Sequence, residues 1–276
     1  MGSAIQIQNV GKTFAVRGGS AAFTALEQIT LDVRAGEFLV IVGPSGCGKS
    51  TLLDMLGGLT TPTTGRILID GAPVTGPALD RGLVFQQYAL FPWRTAQRNV
   101  EFGLEAKGVP RRERAERARH FLAMVGLAAF ADRYPHELSG GMKQRVAIAR
   151  SLAYDPGVLL MDEPFAALDA QTRETLQGEL LRIWDESSKT IVFITHGIDE
   201  AIYLGQRVAV MTSRPGRIKQ VIDIPFDGRT HADDLRGKPE FARLRHGIWT
   251  LLRDETHRAE TQELQSLANT RRAAGG

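Results

Sequence analysis

Cysteine is almost missing from this 276-residue sequence: Cys47 stands alone. One thiol closes no intrachain disulfide and builds no four-thiolate metal site, which excludes a secreted disulfide scaffold and a structural zinc module and fits a reducing cytoplasm. Long apolar runs are missing too. The longest, Phe38–Val42 and Val158–Met161, are strand-sized and fall far short of the roughly 18–20 residues that span a bilayer. An excess of one charge is also lacking, since 34 Lys+Arg face 31 Asp+Glu for a net +3. A balance this even carries no electrostatic footprint for nucleic acid, so none is expected as a partner. The opening Ile5-Gln6-Ile7-Gln8-Asn9-Val10 alternates apolar and polar residues, where a signal peptide has a cationic stretch and then a continuous apolar one, and it reads as a first β-strand.

What is present is a series of short apolar runs bounded by Gly, Pro or Asp: Phe38–Val42, Ile67–Ile69, Leu83–Phe85, Val158–Met161, Ile191–Ile194 and Val208–Met211. Several are apolar without alternation, the mark of strands covered on both faces in a mostly parallel sheet, and the fold class is α/β. Between Phe91 and Pro156 these runs disappear. There Arg111 to Leu127 spaces Ala, Phe, Leu, Met and Val along one face of a helix, with Pro110 before it and a charged face of Arg111, Arg112, Glu113, Arg114, Glu116, Arg117 and Arg119 that reads as solvated. After about Asp227 strand signals fade, and Glu240–Arg253 has helical spacing in Phe241, Leu244, Ile248, Leu251 and Leu252. The expected organisation is a core of residues 1–87 and 157–226, a helical insertion of 88–156 and a helical tail of 227–276.

Directly after Phe38–Val42 comes Gly43-Pro44-Ser45-Gly46-Cys47-Gly48-Lys49-Ser50-Thr51, a match to G-x-x-x-x-G-K-[ST]. It is followed by a helical stretch, Ser50–Leu56, that stops at Gly57-Gly58. Glycines let such a loop curl so that successive N–H groups point at phosphate oxygens, and the helix N-terminus adds the positive end of its dipole. Lys49 supplies a point charge to the β- and γ-phosphates, and the Ser50 hydroxyl is placed to ligate Mg²⁺. The Cys47 side chain is expected to point away from the phosphates.

A second motif closes the strand Val158–Met161 with Asp162-Glu163-Pro164. Adjacent carboxylates at the end of a buried strand are costly unless a cation or hydrogen bonds satisfy them. In a phosphoryl-transfer site the first acid holds the metal and the second polarises water, so Asp162 is assigned to Mg²⁺ and Glu163 to general base.

A phosphate loop by itself is shared by kinases, GTPases, helicases and transport ATPases. Leu138-Ser139-Gly140-Gly141-Met142, with Ser139 lying 23 residues before Asp162, distinguishes among them. Here the sequence closely resembles the nucleotide-binding subunits of ABC transporters, with Met142 where Gln is commoner. Ser139, Gly140 and Gly141 open a helix and form a second anion site. The resemblance covers about Ile5 to Ile224 and implies a P-loop NTPase (RecA-like) core with a mixed sheet, an antiparallel β part at the N-terminus and a helical subdomain. It implies ATP and Mg²⁺ as ligands, and a homodimer in which the second anion site closes over the ATP of the other copy.

The resemblance further assigns Gln86 to sensing metal and attacking water, Asp169 to communication across the dimer and His196 to the γ-phosphate. Phe14 stacks on adenine, with Phe23 as a rival. Gly197 stands after His196 where the family usually has a polar residue, which is expected to loosen that loop. Leu90-Phe91-Pro92-Trp93, Ser213-Arg214-Pro215-Gly216-Arg217-Ile218, Pro239-Glu240-Phe241 and Ile248-Trp249 look like the nitrate/sulfonate/taurine importer group. That group implies permease subunits in the membrane docking on Tyr88–Asn99, a solute-binding protein served indirectly, and a peripheral position on the cytoplasmic face of the bacterial inner membrane. A soluble ABC-type ATPase acting on nucleic acid or ribosomes is the alternative; such proteins fuse two cassettes or insert a coiled coil, and this sequence has one motif set and no sustained heptads.

Overall fold

A computed structural model describes residues 2–15, 22–226 and 235–274, with side chains to residue 259. Its centre is a six-stranded sheet in the order β10-β9-β3-β8-β7-β6, built from β3 (Phe38–Val42), β6 (Arg81–Val84), β7 (Val158–Asp162), β8 (Thr190–Ile194), β9 (Arg207–Met211) and β10 (Ile218–Asp223). All neighbours pair in parallel except β10 on β9. The unbroken apolar runs follow from burial of both faces. Phe38, Val40, Val42, Leu159, Met161, Ile191 and Phe193 point into one core, beneath α5 (Ala170–Ser187), α6 (Ile198–Leu204) and the start of α7 (Pro239–Ala274). Leu39, Ile41, Val158, Leu160, Val192 and Ile194 point into the other. A slip of one residue in any of these strands exchanges the two sets, so the register is strongly fixed.

The second core is closed by α1 (Lys49–Leu56) and by an antiparallel sheet in the order β2-β1-β4-β5: β1 (Ile5–Ala15), β2 (Ala22–Val33), β4 (Thr64–Ile69) and β5 (Ala72–Pro73). The expected mixed sheet and N-terminal antiparallel part are therefore present. Strand β2, which the apolar-run reading passes over, alternates: Ile29, Leu31 and Val33 are buried while Thr30 and Asp32 are exposed. β10 is an edge strand, paired among the described residues with β9 alone, and its half-buried residues make no apolar run.

Between β6 and β7 the regular elements are all helical. α2 (Ala96–Ala106), α3 (Arg111–Met124) and α4 (Gly140–Ala153) pack around their own core of Val100, Leu104, Leu122, Leu127, Leu138 and Val146. The charged face of α3 carries the i,i+4 pairs Arg112–Glu116 and Arg117–Glu113, as a solvated face does. In the tail, residues 227–234 lie outside the described ones, and α7 continues well past the stretch read as Glu240–Arg253. Among the described residues no helix is long and apolar enough to cross a membrane.

Candidate active site

The strands β3, β6, β7, β8 and β9 all point their carboxyl ends at one edge of the sheet, where open α/β sheets present ligand crevices. A cleft of about 580 Å³ opens there, lined by Phe14, Phe23, Ala25, Gly43, Ser45, Gly46, Gly48, Lys49, Ser50, Thr51, Gln86, Glu163, His196 and Arg214. β3 delivers the loop 43–48, and α1 begins at Lys49, so the free N–H groups of its first turn face the cleft. Two glycines are required by the backbone: Gly46 has φ +70° and Gly48 φ +102°, and a Cβ on Gly48 would lie 2.6 Å from the Leu26 Cδ2. The Lys49 ammonium is buried and donates to the carbonyls of Gly43 at 2.8 Å and Pro44 at 2.9 Å, which anchors its charge over the loop.

Pro44 and Cys47 belong to this loop without lining the cleft. The Cys47 side chain is buried in the core beneath, and burial pushes its thiol up, against the pull of Lys49. A cysteine held this way is a small core residue with little thiolate character.

Asp162 ends β7. Burial raises its carboxyl above the usual 3.8, opposed by a hydrogen bond from the Ser50 hydroxyl and reinforced by the charge of Glu163. Asp54 on α1 is raised as well, by burial and then by Asp162. Crowded carboxylates beside a hydroxyl form an oxygen-donor set, which suits a hard cation completing its shell with water or phosphate oxygens. The residues present therefore fit Mg²⁺.

Glu163 follows in a left-handed conformation, φ +45°, uncommon for a residue with a side chain and costly by about 1–3 kcal/mol. Its N–H donates to the Ile194 carbonyl at 3.0 Å, and its Oε2 lies 3.2 Å from the His196 Nδ1. Strain retained at a carboxylate that reaches the histidine of the next strand marks a built arrangement. The loop carrying His196 is tied down: the Gly197 N–H donates to the Thr195 Oγ1 at 3.0 Å, Thr195 bonds Glu200, and the Gln177 Nε2 donates to Glu200 at 2.8 Å. Gly197 has φ −86°, extended backbone that any residue adopts.

Ser139, Gly140, Gly141 and Asp169 do not line the cleft. Ser139 caps α4, its Oγ accepting from the Met142 N–H at 3.3 Å, and Asp169 caps α5, its Oδ1 accepting from the Thr172 N–H at 2.9 Å. The same backbone donor holds the Asp169 carboxyl below its usual range. Ser139 and Asp169 are both exposed. Phe14 and Phe23 are cross-strand partners and both line the cleft. Arg214, to which the sequence attached no role, is there too, donating from Nε to the Gly46 carbonyl at 2.6 Å. Its signal was its place in Ser213-Arg214-Pro215-Gly216, a segment read only as a mark of subgroup.

A family model described as ABC transporter matches residues 26–166, just over half of the chain. The chain belongs to the ABC transporter family. As an ABC-type cassette it binds ATP and is an ATPase. It is 53% identical over 251 residues to an ABC transporter ATP-binding protein of Methanocaldococcus jannaschii, a match covering 91% of this chain and 92% of the other. It is 47% identical to the nitrate import ATP-binding protein of a Synechocystis strain, over 96% of this chain and 99% of the relative. With the taurine import ATP-binding protein of Roseobacter denitrificans it shares 46% identity, over 91% and 94%. These relatives support the nitrate/taurine importer group. A solved structural neighbour is a dimeric ATP-binding cassette in a post-hydrolysis state bound to ADP and Pi, with TM-score 0.74 and 37% identity over 80% of this chain and 99% of that one.

Proposed function

We propose that this cassette is the ATP-hydrolysing subunit of an importer for a small anion such as nitrate, an alkanesulfonate or taurine, acting as a head-to-tail homodimer. The observation that carries the reading is a separation: the cleft holds Lys49, Gln86, Glu163 and His196, while the second anion site at Ser139 opens elsewhere on the same chain. A second copy brings the two onto one nucleotide. Each ATP then lies between Gly43–Thr51 of one chain and Ser139–Gly141 of the other.

In that sandwich the loop N–H groups and Lys49 hold the phosphates, and Phe14 or Phe23 covers the adenine. Ser50, Asp162 and Gln86 would hold Mg²⁺, which when bound would neutralise phosphate charge. Glu163 takes the proton of the attacking water and His196 bonds the γ-phosphate, the two side chains being in contact at 3.2 Å. Asp169, at the N-terminus of α5, carries the state of one site to the other.

Docking on membrane subunits is supported by the loop before α2 and by α2 itself. Trp93 is 72% exposed, and Phe91 packs on Phe102 with ring centroids 4.6 Å apart and Arg94 above both rings. An exposed aromatic and arginine cluster suits an interface core. The cassette thus sits peripherally on the cytoplasmic face of the bacterial inner membrane, bound to permease subunits and coupled through them to a solute-binding protein.

The reading is tested with Glu163→Gln. Steady-state ATP hydrolysis is expected to fall by about 10²–10⁴-fold, while size-exclusion chromatography in Mg·ATP shows a dimer that the parent chain populates only transiently. Turnover close to that of the parent overturns the assignment of Glu163.

A further inference from the structure

Behind the cleft, the loop 212–217 is gripped by a carboxylate from α7, far away in sequence. Glu255 is 1% exposed and accepts four hydrogen bonds: from the Ser213 N–H at 3.0 Å, the Ser213 Oγ at 3.2 Å, the Lys219 Nζ at 2.7 Å and the Arg258 Nη1 at 3.0 Å. A buried carboxylate so fully partnered fixes the backbone it holds, because any displacement of Ser213 costs the carboxylate two of its four hydrogen bonds and leaves Oε2 without a donor. The same loop is seated on the phosphate loop. The Gly216 N–H donates to the Ala25 carbonyl at 2.9 Å, its carbonyl accepts from the Glu27 N–H at 3.0 Å, and a Cβ on Gly216 would stand 2.0 Å from the Cys47 carbonyl oxygen.

Next to the gripped Ser213 is Arg214. Its Nε donates to the Gly46 carbonyl at 2.6 Å and its guanidinium lies 5.0 Å over the Phe23 ring. Both contacts orient the group while leaving donors for a ligand, since a guanidinium has five N–H bonds and the one to Gly46 is the only one shown to be engaged among the described residues. A second cation on the cleft wall, beside Lys49 and the N-terminus of α1, is matched by a polyphosphate.

We propose that Arg214 binds the phosphate chain of the nucleotide and that Glu255 is its positioning residue, which makes α7 part of the ATP site. This rests on the reading of the cleft as the ATP site. α7 reaches the cleft through Glu255, Ser213 and Arg214, so a partner that moved α7 would alter nucleotide affinity.

The test is isothermal titration of the full chain with Mg·ADP, with thermal melts of each variant. Arg214→Ala is expected to raise Kd about tenfold or more, with Arg214→Lys recovering part of the loss. Glu255→Ala raises Kd as well, Glu255→Gln, which keeps an acceptor for Ser213, recovers most of it, and the Arg214→Ala/Glu255→Ala double variant is no weaker than Arg214→Ala alone. Losses that multiply in the double variant overturn the positioning role of Glu255. Arg214→Ala binding within twofold of the parent, while Lys49→Ala binds poorly, overturns the inference alone. If Lys49→Ala also binds like the parent, the reading of the cleft as the ATP site fails instead.

Discussion

Asp162 is held in a position that the isolated fold does not favour. Its carboxyl is raised first by burial and also by Glu163, and its charge in turn raises Asp54. With the native pKa above the unfolded one, the folded chain carries more protons between the two values, so stability falls as pH rises through that window. Asp162→Asn removes the charge while keeping an acceptor for the Ser50 hydroxyl. Without nucleotide, the variant is expected to unfold at higher urea than the parent at neutral pH, by about 1 kcal/mol or roughly 2 °C in Tm, with the difference vanishing below the ordinary carboxylate range. Mg²⁺-dependent hydrolysis is lost in the same variant. Equal stabilities across the pH series would show that the burial of Asp162 carries no cost. The sequence made this residue legible because an acid pair ending an apolar strand has few inexpensive explanations. The left-handed backbone of Glu163 is not legible, since nothing in Asp-Glu-Pro specifies a positive φ; in the fold it occurs together with the bond to Ile194 of the neighbouring strand.

At the scale of elements, α4 acts as a strap over β6 and the loop that follows it. Ser151 donates to the Leu83 carbonyl at 2.7 Å, Tyr154 to the Arg81 carbonyl at 3.1 Å, and Arg150 to the carbonyls of Ala89 at 2.6 Å and Tyr88 at 3.3 Å. Burial raises the Tyr154 hydroxyl to about 12, so it donates at any ordinary pH. One helix thereby joins its cap at Ser139 to the loop bearing Gln86. Arg150→Ala leaves two carbonyls of that loop without their charged donor, and the expected loss is about 2–3 kcal/mol in urea unfolding. Arg150→Lys, which can serve one carbonyl, falls between. If Gln86 is held through this strap, kcat drops in Arg150→Ala with little change in KM; a loss of stability with unaltered kinetics confines Arg150 to the fold. None of this was readable beforehand, because the partners of Arg150 are backbone carbonyls some 61–62 residues earlier. Helix positions with motifs at their starts were legible, as at Lys49 and Ser139. Strand β2 is not legible as an apolar run because its buried and exposed residues alternate.

At the scale of the whole molecule, the two anion sites proposed for each chain cannot be joined by a single nucleotide within that chain, because Ser139 and its glycines do not line the cleft of Lys49. Head-to-tail pairing turns this into an arithmetic prediction. A homodimer of Lys49→Ala chains has two damaged phosphate loops, and a homodimer of Ser139→Phe chains has two damaged signatures, so neither hydrolyses ATP. In a mixed dimer one composite site collects both defects, and the other is built from the intact loop of one chain and the intact signature of its partner. Mixing the two inactive variants is therefore expected to restore ATPase activity, greatest at equal amounts and roughly a quarter of the parent rate if pairing is random and sites act independently. The curve of activity against mixing ratio is the measurement. Activity that stays at the sum of the separate variants at every ratio means that each nucleotide is served by one chain alone, and it places the Ser139 site outside the reaction.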